Sequence, residues 1–210
     1  MEDIINYKKY IIFIIALLTF NISSLHAGGS NLPKNKHKIS IKPREFFWAI
    51  SHPFIAKKVL KLTKIAIKIT DSLEKNKILS DKSGGNLDAF KHSYWMALLS
   101  QNIKSKKAYR LGVIHEKINY HQYKRNCYSQ DSTASLMDLK NNEVGISYGE
   151  KYKEISKNEL IEIIISAIRN GELYRLKKDK HGNYLDCDDN IIDIKKEKAW
   201  NKRKCIEKTN

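Results

Sequence analysis

Three groups of polar residues interrupt helical patterns built mainly from lysine and aliphatic side chains. Asp88 and His92 stand four residues apart, on one helix face, beside Trp95. His115 and Glu116 follow the apolar "LGVI", and Asn119 lies four residues beyond His115. In "MDLKNNEVG", residues 137–145, Asp138 is followed at i+3 and i+4 by Asn141 and Asn142. Asparagine competes with the helix for hydrogen bonds, so this stretch either ends a helix or builds a site.

The residue types suit hydrolysis. Two imidazoles and a carboxylate, His92, His115 and Asp138, can hold a divalent metal ion and leave a coordination position for water. Asp88 and Glu116 would orient the imidazoles, or one carboxylate would steer a histidine that acts as general base without a metal. Asn119, Asn141 and Asn142 would hold substrate or backbone. Other chemistries find no support. "HEKIN" has Asn119 where a zinc protease needs its second histidine, no serine sits in G-x-S-x-G, and no C-x-x-C is present. Taken singly, each residue also has a structural role open to it. Asp88, or Asn86, can cap a helix, His92 can be a hydrogen-bonded core histidine, and Asn141 to Gly145 can form a C-cap. A site in a bundle needs the three groups, each on a different helix, to converge.

The elements that must position them follow from periodicity. Pro43 opens a helix at "PREFFWAI" and Pro53 opens the next, whose lysines 57, 58, 61, 64 and 68 oppose apolar residues 55, 59, 62, 66 and 69. That pattern fits a core helix with a solvated lysine face, with a membrane-surface helix as the alternative. Helices are expected over 86–101 and 105–125, the latter with Ser105 as a cap. Another is expected over 133–142, with Gly145 as its stop. Ser156 and Glu159 form a capping box for a helix over 157–170, which is apolar around most of its circumference and so expected to be central. "ELYRLKK" and "NYLDC", joined by "DKHG", predict a β-hairpin. The fold class is mostly α: a multi-helix bundle with a small C-terminal β-hairpin. The helical domain spans 43–170, and the hairpin and a charged tail occupy 171–210.

Residues 1–27 read as a secretory signal peptide. Lys8 and Lys9 precede the apolar run Tyr10–Phe20, and "SLHA" offers a cleavage point before Gly28. A retained N-terminal anchor is the alternative. Residues 28–42 read as a disordered linker. Export would make the protein periplasmic or secreted and allow a disulfide, with Cys187 and Cys205 the closer pair and Cys127 left over. Among 210 residues the formal net charge is +16, and half of it falls in residues 34–71, where ten Lys/Arg face only Glu45 and Asp71. Either an anionic partner (a membrane, a wall polymer or nucleic acid) or a compositional bias toward lysine accounts for this charge.

"GGNLDAFKHSYWMALL", "AYRLGVIHEKINY" and "STASLMDLKNNEVG", in this order, resemble an uncharacterised bacterial domain family. Its members carry D-A-F-R-H-x-x-W, then H-E-x-x-N, then M-D-L-x-N-N-x-x-G, and occur in secreted and wall-associated toxin-like proteins. The resemblance covers about residues 84–150. It matches Asp88, His92, Trp95, His115, Glu116, Asn119, Asp138, Asn141, Asn142 and Gly145. Lys91 replaces the arginine usual in the family, and Ile118 a common glycine. The resemblance implies that Lys91 and Trp95 line the substrate side of the same site, where lysine would clamp an anion less firmly than arginine. It implies no settled activity. The expectation is therefore an exported hydrolase-like domain, with a divalent metal as its cofactor if it uses one. The alternative is a non-catalytic binding or immunity-type protein tied together by a buried polar network.

Overall fold

A computed structural model describes residues 43–124, 131–194, 196, 200–201 and 203–210. The signal segment, the linker and Cys127 lie outside the described residues. Among the described residues six helices run in order: α1 Pro43–Ser51, α2 Pro53–Lys75, α3 Asn86–Asn102, α4 Ser105–Lys124, α5 Ser132–Lys151 and α6 Lys157–Arg169. Two short strands follow, β1 Tyr174–Leu176 and β2 Ile206–Lys208. The protein is a helical bundle with a small C-terminal β element.

Local sequence explains most boundaries. Proline opens both α1 and α2, where its missing N–H costs nothing. Asp131 caps α5 by accepting from the Ala134 N–H, and Ser156 with Glu159 forms the capping box of α6. Gly171 follows α6 with φ +70°, a conformation that favours glycine. Other expectations are corrected. Neither Asn86 nor Asp88 caps α3: Gly85 occupies that position, and Asp88 turns back to accept from the Gly84 N–H at 2.9 Å.

The central helix is α3, not α6. From Leu87 to Ser100 every residue of α3 except Lys91 is buried, and α2, α4, α5 and α6 all pack on it. On α6 one stripe is buried, Leu160, Ile164, Ile165, Ala167 and Ile168. Periodicity misjudged this because α3 carries His92, Ser93 and Ser100 inside, where hydrogen bonds replace apolar character.

Gly145 does not stop α5, which continues to Lys151. Its role is close approach. A Cβ on Gly145 would lie 2.2 Å from the Ser93 carbonyl oxygen, and one on Gly149 would lie 2.3 Å from that of Ala97. The two glycines, one turn apart, let α5 press against the backbone of α3 at its small residues. This crossing places Asp138 and Asn142 against His92.

The C-terminal element differs in detail from the expected hairpin. "ELYRLKK" meets "NYLDC" through a single bridge, Lys178 with Tyr184. The ladder on β1 is made by β2, antiparallel, with Tyr174 opposite Lys208 and Leu176 opposite Ile206. Cys187 and Cys205 form a disulfide, and the Cys205 N–H donates to Leu185 at 2.9 Å. The tail therefore returns to the body of the protein. It is held a second time by Lys204, which pairs in a buried contact with Asp131 at the start of α5.

A buried acid–histidine centre

The three polar groups converge. His92 comes from α3, Glu116 from α4, and Asp138 and Asn142 from α5. His92 is 4% exposed, and Glu116 and Asn142 are equally enclosed. His92 Nδ1 lies 3.3 Å from Asn142 Oδ1. An amide oxygen only accepts, so Nδ1 carries the proton and donates it. Burial, reinforced by the charges of Lys91 and His115, lowers the His92 pKa well below its ordinary value. The ring is thus neutral, and Nε2 presents a lone pair. That lone pair faces carboxylate oxygens: Asp138 Oδ1 at 3.4 Å and Asp88 Oδ1 at 3.7 Å.

Three electron-rich atoms facing one another in a buried place repel unless a proton or a cation stands between them. The electrostatics say the same. Burial first, then the charges of Glu116 and Asp88, push the Asp138 pKa well above the usual carboxylate range. Burial raises Glu116 to about 7, against the pull of His115. Glu116 Oε1, Asp138 Oδ1 and Asn142 Nδ2 are buried with no hydrogen-bond partner among the described residues. Such orphaned atoms are uncommon in folded proteins, and three occur in this one cluster. Asp88, His92 and Asp138 each offer a ligand atom, all within 4.8 Å of one another. One imidazole and two carboxylates form a donor set suited to a divalent cation. The Nδ1–H bond to Asn142 is the outer contact that commonly orients a ligating imidazole.

The remaining predicted residues surround this centre. Lys91 pairs with Asp88 one turn away. Burial opposes its charge, but Asp88, Asp138 and Glu116 outweigh that and raise its pKa. Asn119 donates to Glu116 at 2.8 Å and to Ser135 at 3.2 Å. Asn141 points elsewhere and uses both ends of its amide on the Tyr174 backbone, at 2.9 Å each, so it joins α5 to β1. Trp95 donates its indole N–H to Thr63 on α2 at 2.9 Å and packs edge-on against His115.

His115 stands beside the donor set rather than in it. Its ring centre is 6.2 Å from that of His92, and its Nδ1 lies 2.8 Å from Glu45 on α1. Burial opposes protonation of His115, but the Glu45 hydrogen bond and the charge of Glu116 more than offset it. Its side chain is 42% exposed and that of Lys91 is 41% exposed, so these two basic groups are where the cluster meets solvent. Glu45 escaped the sequence reading. An acid in the first turn of a helix looks like an ordinary complement to the helix dipole. Ser135 and Thr63 gave no signal either, since lone hydroxyls on helices are common.

Fold and centre together define a class: a helical bundle whose central helix carries a histidine opposed by carboxylates from neighbouring helices. The chain belongs to the family described as "Domain of unknown function (DUF6973)", whose model matches residues 46–172, more than half of its length. The match takes in all the residues of the centre. No curated protein and no solved structure matches the chain.

Proposed function

We propose that this domain is a hydrolase whose working centre is Asp88, His92 and Asp138, with Glu116 beside them. One observation carries the reading: the His92 Nε2 lone pair faces two carboxylates while Asn142 holds the other ring nitrogen. In this reading Asp88, His92 and Asp138 would hold a divalent cation, which would supply Lewis-acid activation of water. Glu116, with its pKa near neutrality, would serve as the general base toward the attacking water. Lys91 and His115, the two basic groups at the solvent side, receive an anionic group of the substrate. Membrane lipids, anionic wall polymers and nucleic acids share the phosphodiester, which is the substrate class that fits. The setting we propose is outside the cytoplasm. The N-terminal pattern of charge, apolar run and small residues supports it, and a disulfide suits an oxidising compartment. The resemblance to secreted, toxin-like proteins agrees with an envelope role.

A second reading has its own support. Asn141 joins α5 to β1 through both ends of its amide, and Asn119 joins α4 to α5 through Ser135. A non-catalytic protein in which the whole cluster ties α3, α4 and α5 together, with Asp138 and Glu116 kept protonated, would use them in the same way.

Metal analysis of the purified protein separates the two, combined with thermal unfolding in Zn²⁺, Mn²⁺ and Ca²⁺ and hydrolysis of a nitrophenyl phosphodiester. The hydrolase reading expects an ion that raises the melting temperature of the wild type but not of His92→Ala, because only the native centre binds it. A wild type indifferent to every ion, inert toward the diester, and badly destabilised by His92→Ala would sink that reading and leave the network.

A further inference from the structure

The lysine face of α2 is a separate feature, remote from this chemistry. Phe54, Lys57, Lys61, Lys64 and Lys68 follow one another at three- and four-residue steps, and Lys58 lies alongside. All six are exposed. The opposite face, Val59, Leu62, Ala66, Thr70 and Leu73, is buried in the core. The stripe is therefore held rigidly outward for about 22 Å. No acidic residue occurs between Glu45 and Asp71. None of Lys57, Lys61, Lys64 and Lys68 is paired with an acid among the described residues. Phe54, which opens the stripe, is 95% exposed, and Phe47 on the preceding helix α1 is 66% exposed. A solvated lysine face needs no such residues.

We propose that this face docks the protein on an anionic phospholipid bilayer. The lysines complement lipid headgroup charge, and Phe47 with Phe54 enters the headgroup boundary. The stripe contains lysine and no arginine, so it supplies charge without the planar forks that read bases and phosphates bidentately. Before α1 the sequence adds Lys34, Lys36, Lys38 and Lys42, and α1 itself carries Arg44. The docking is independent of the hydrolase reading.

Lysine acetylation followed by mass spectrometry tests it on the full chain, because the readout is local to α2 whatever the N-terminal segment does. The vesicles are equimolar phosphatidylglycerol and phosphatidylcholine, with pure phosphatidylcholine as the comparison. Labelling of Lys57, Lys61, Lys64 and Lys68 should fall about tenfold on the anionic vesicles only, while Lys157 on α6 stays unchanged. In the double variant Phe47→Ser/Phe54→Ser that protection should persist at low salt and disappear at physiological salt, where screened charge no longer suffices. Equal labelling on the two kinds of vesicle overturns the proposal. So does protection by a DNA oligonucleotide without protection by vesicles. Full protection of the double variant at physiological salt would also overturn it, since the aromatic residues would then contribute nothing.

Discussion

His92 carries an unusual set of constraints for a buried histidine. Its proton is fixed on Nδ1 by Asn142, and its lone pair is turned toward Asp88 and Asp138. Replacing Asn142 by Leu should free the ring to flip. The variant should keep its helical content yet lose any ion-dependent rise in melting temperature, as differential scanning fluorimetry with and without metal would show. Glu116 gives a prediction in pH. Its folded-state pKa, about 7, lies above its ordinary value of 4.5. Between those values the native protein binds more protons than the unfolded chain, so stability from this group falls as pH rises. His92 acts in the opposite sense below its ordinary pKa of 6.5, because the unfolded chain then takes up a proton that the folded ring refuses. The two partly cancel in the wild type. Glu116→Gln removes only the first. Relative to wild type, the metal-free variant should gain on the order of 2 kcal/mol between pH 5 and pH 7.5. Urea titrations at the two pH values measure it, and an unchanged difference would show that Glu116 is ionised throughout.

At the scale of elements, the α3–α5 crossing brings the centre together. Its closeness depends on Gly145 and Gly149 facing Ser93, Ala97 and Ser100. Gly145→Ala puts a methyl group 2.2 Å from a backbone oxygen that cannot rotate away. Overpacking of this kind should cost about 3 kcal/mol, read as a lower urea midpoint with an unchanged slope. The helices must separate to fit the methyl group, so His92 and Asp138 separate too. Any ion-dependent stabilisation should weaken with the same variant. Both helices were legible from their patterns; α3 was bounded to within a residue, but α5, expected over 133–142, runs on to Lys151. Gly145 was misread because glycine after polar residues is a usual C-cap signal. Its other use, close approach in mid-helix, depends on a partner that is distant in sequence.

At the scale of the whole molecule, the C-terminal tail closes the fold. The Cys187–Cys205 disulfide spans 18 residues, and cross-linking a loop of that size lowers the entropy of the unfolded chain by about 3 kcal/mol. Cys205→Ser should cost about that much. It should also loosen the buried Lys204–Asp131 pair at the start of α5, the helix that presents Asp138. Hydrogen exchange should then quicken at the first turn of α5 before it quickens in α3; equal protection in both proteins would show that the tail is only attached, not supporting.

Composition and spacing sufficed for the helical class, for the excess of positive charge and for the polar groups of α3, α4 and α5 that come together in the fold. These are properties of neighbours in the chain: a helical face is set by three- and four-residue steps, and a capping box by residues three apart. They could not show which helix is central, because the polar residues of α3 read as exposed until their partners are known. They could not find Glu45, which meets His115 from 70 positions away. Nor could they distinguish His92, whose lone pair faces carboxylates, from His115, which is turned toward Glu45 on α1. Those assignments rest on which groups the α3–α5 and α1–α4 contacts bring within a few ångströms. Charge and hydrogen-bond effects fall steeply with distance, and distance between remote residues is a property of the packed bundle.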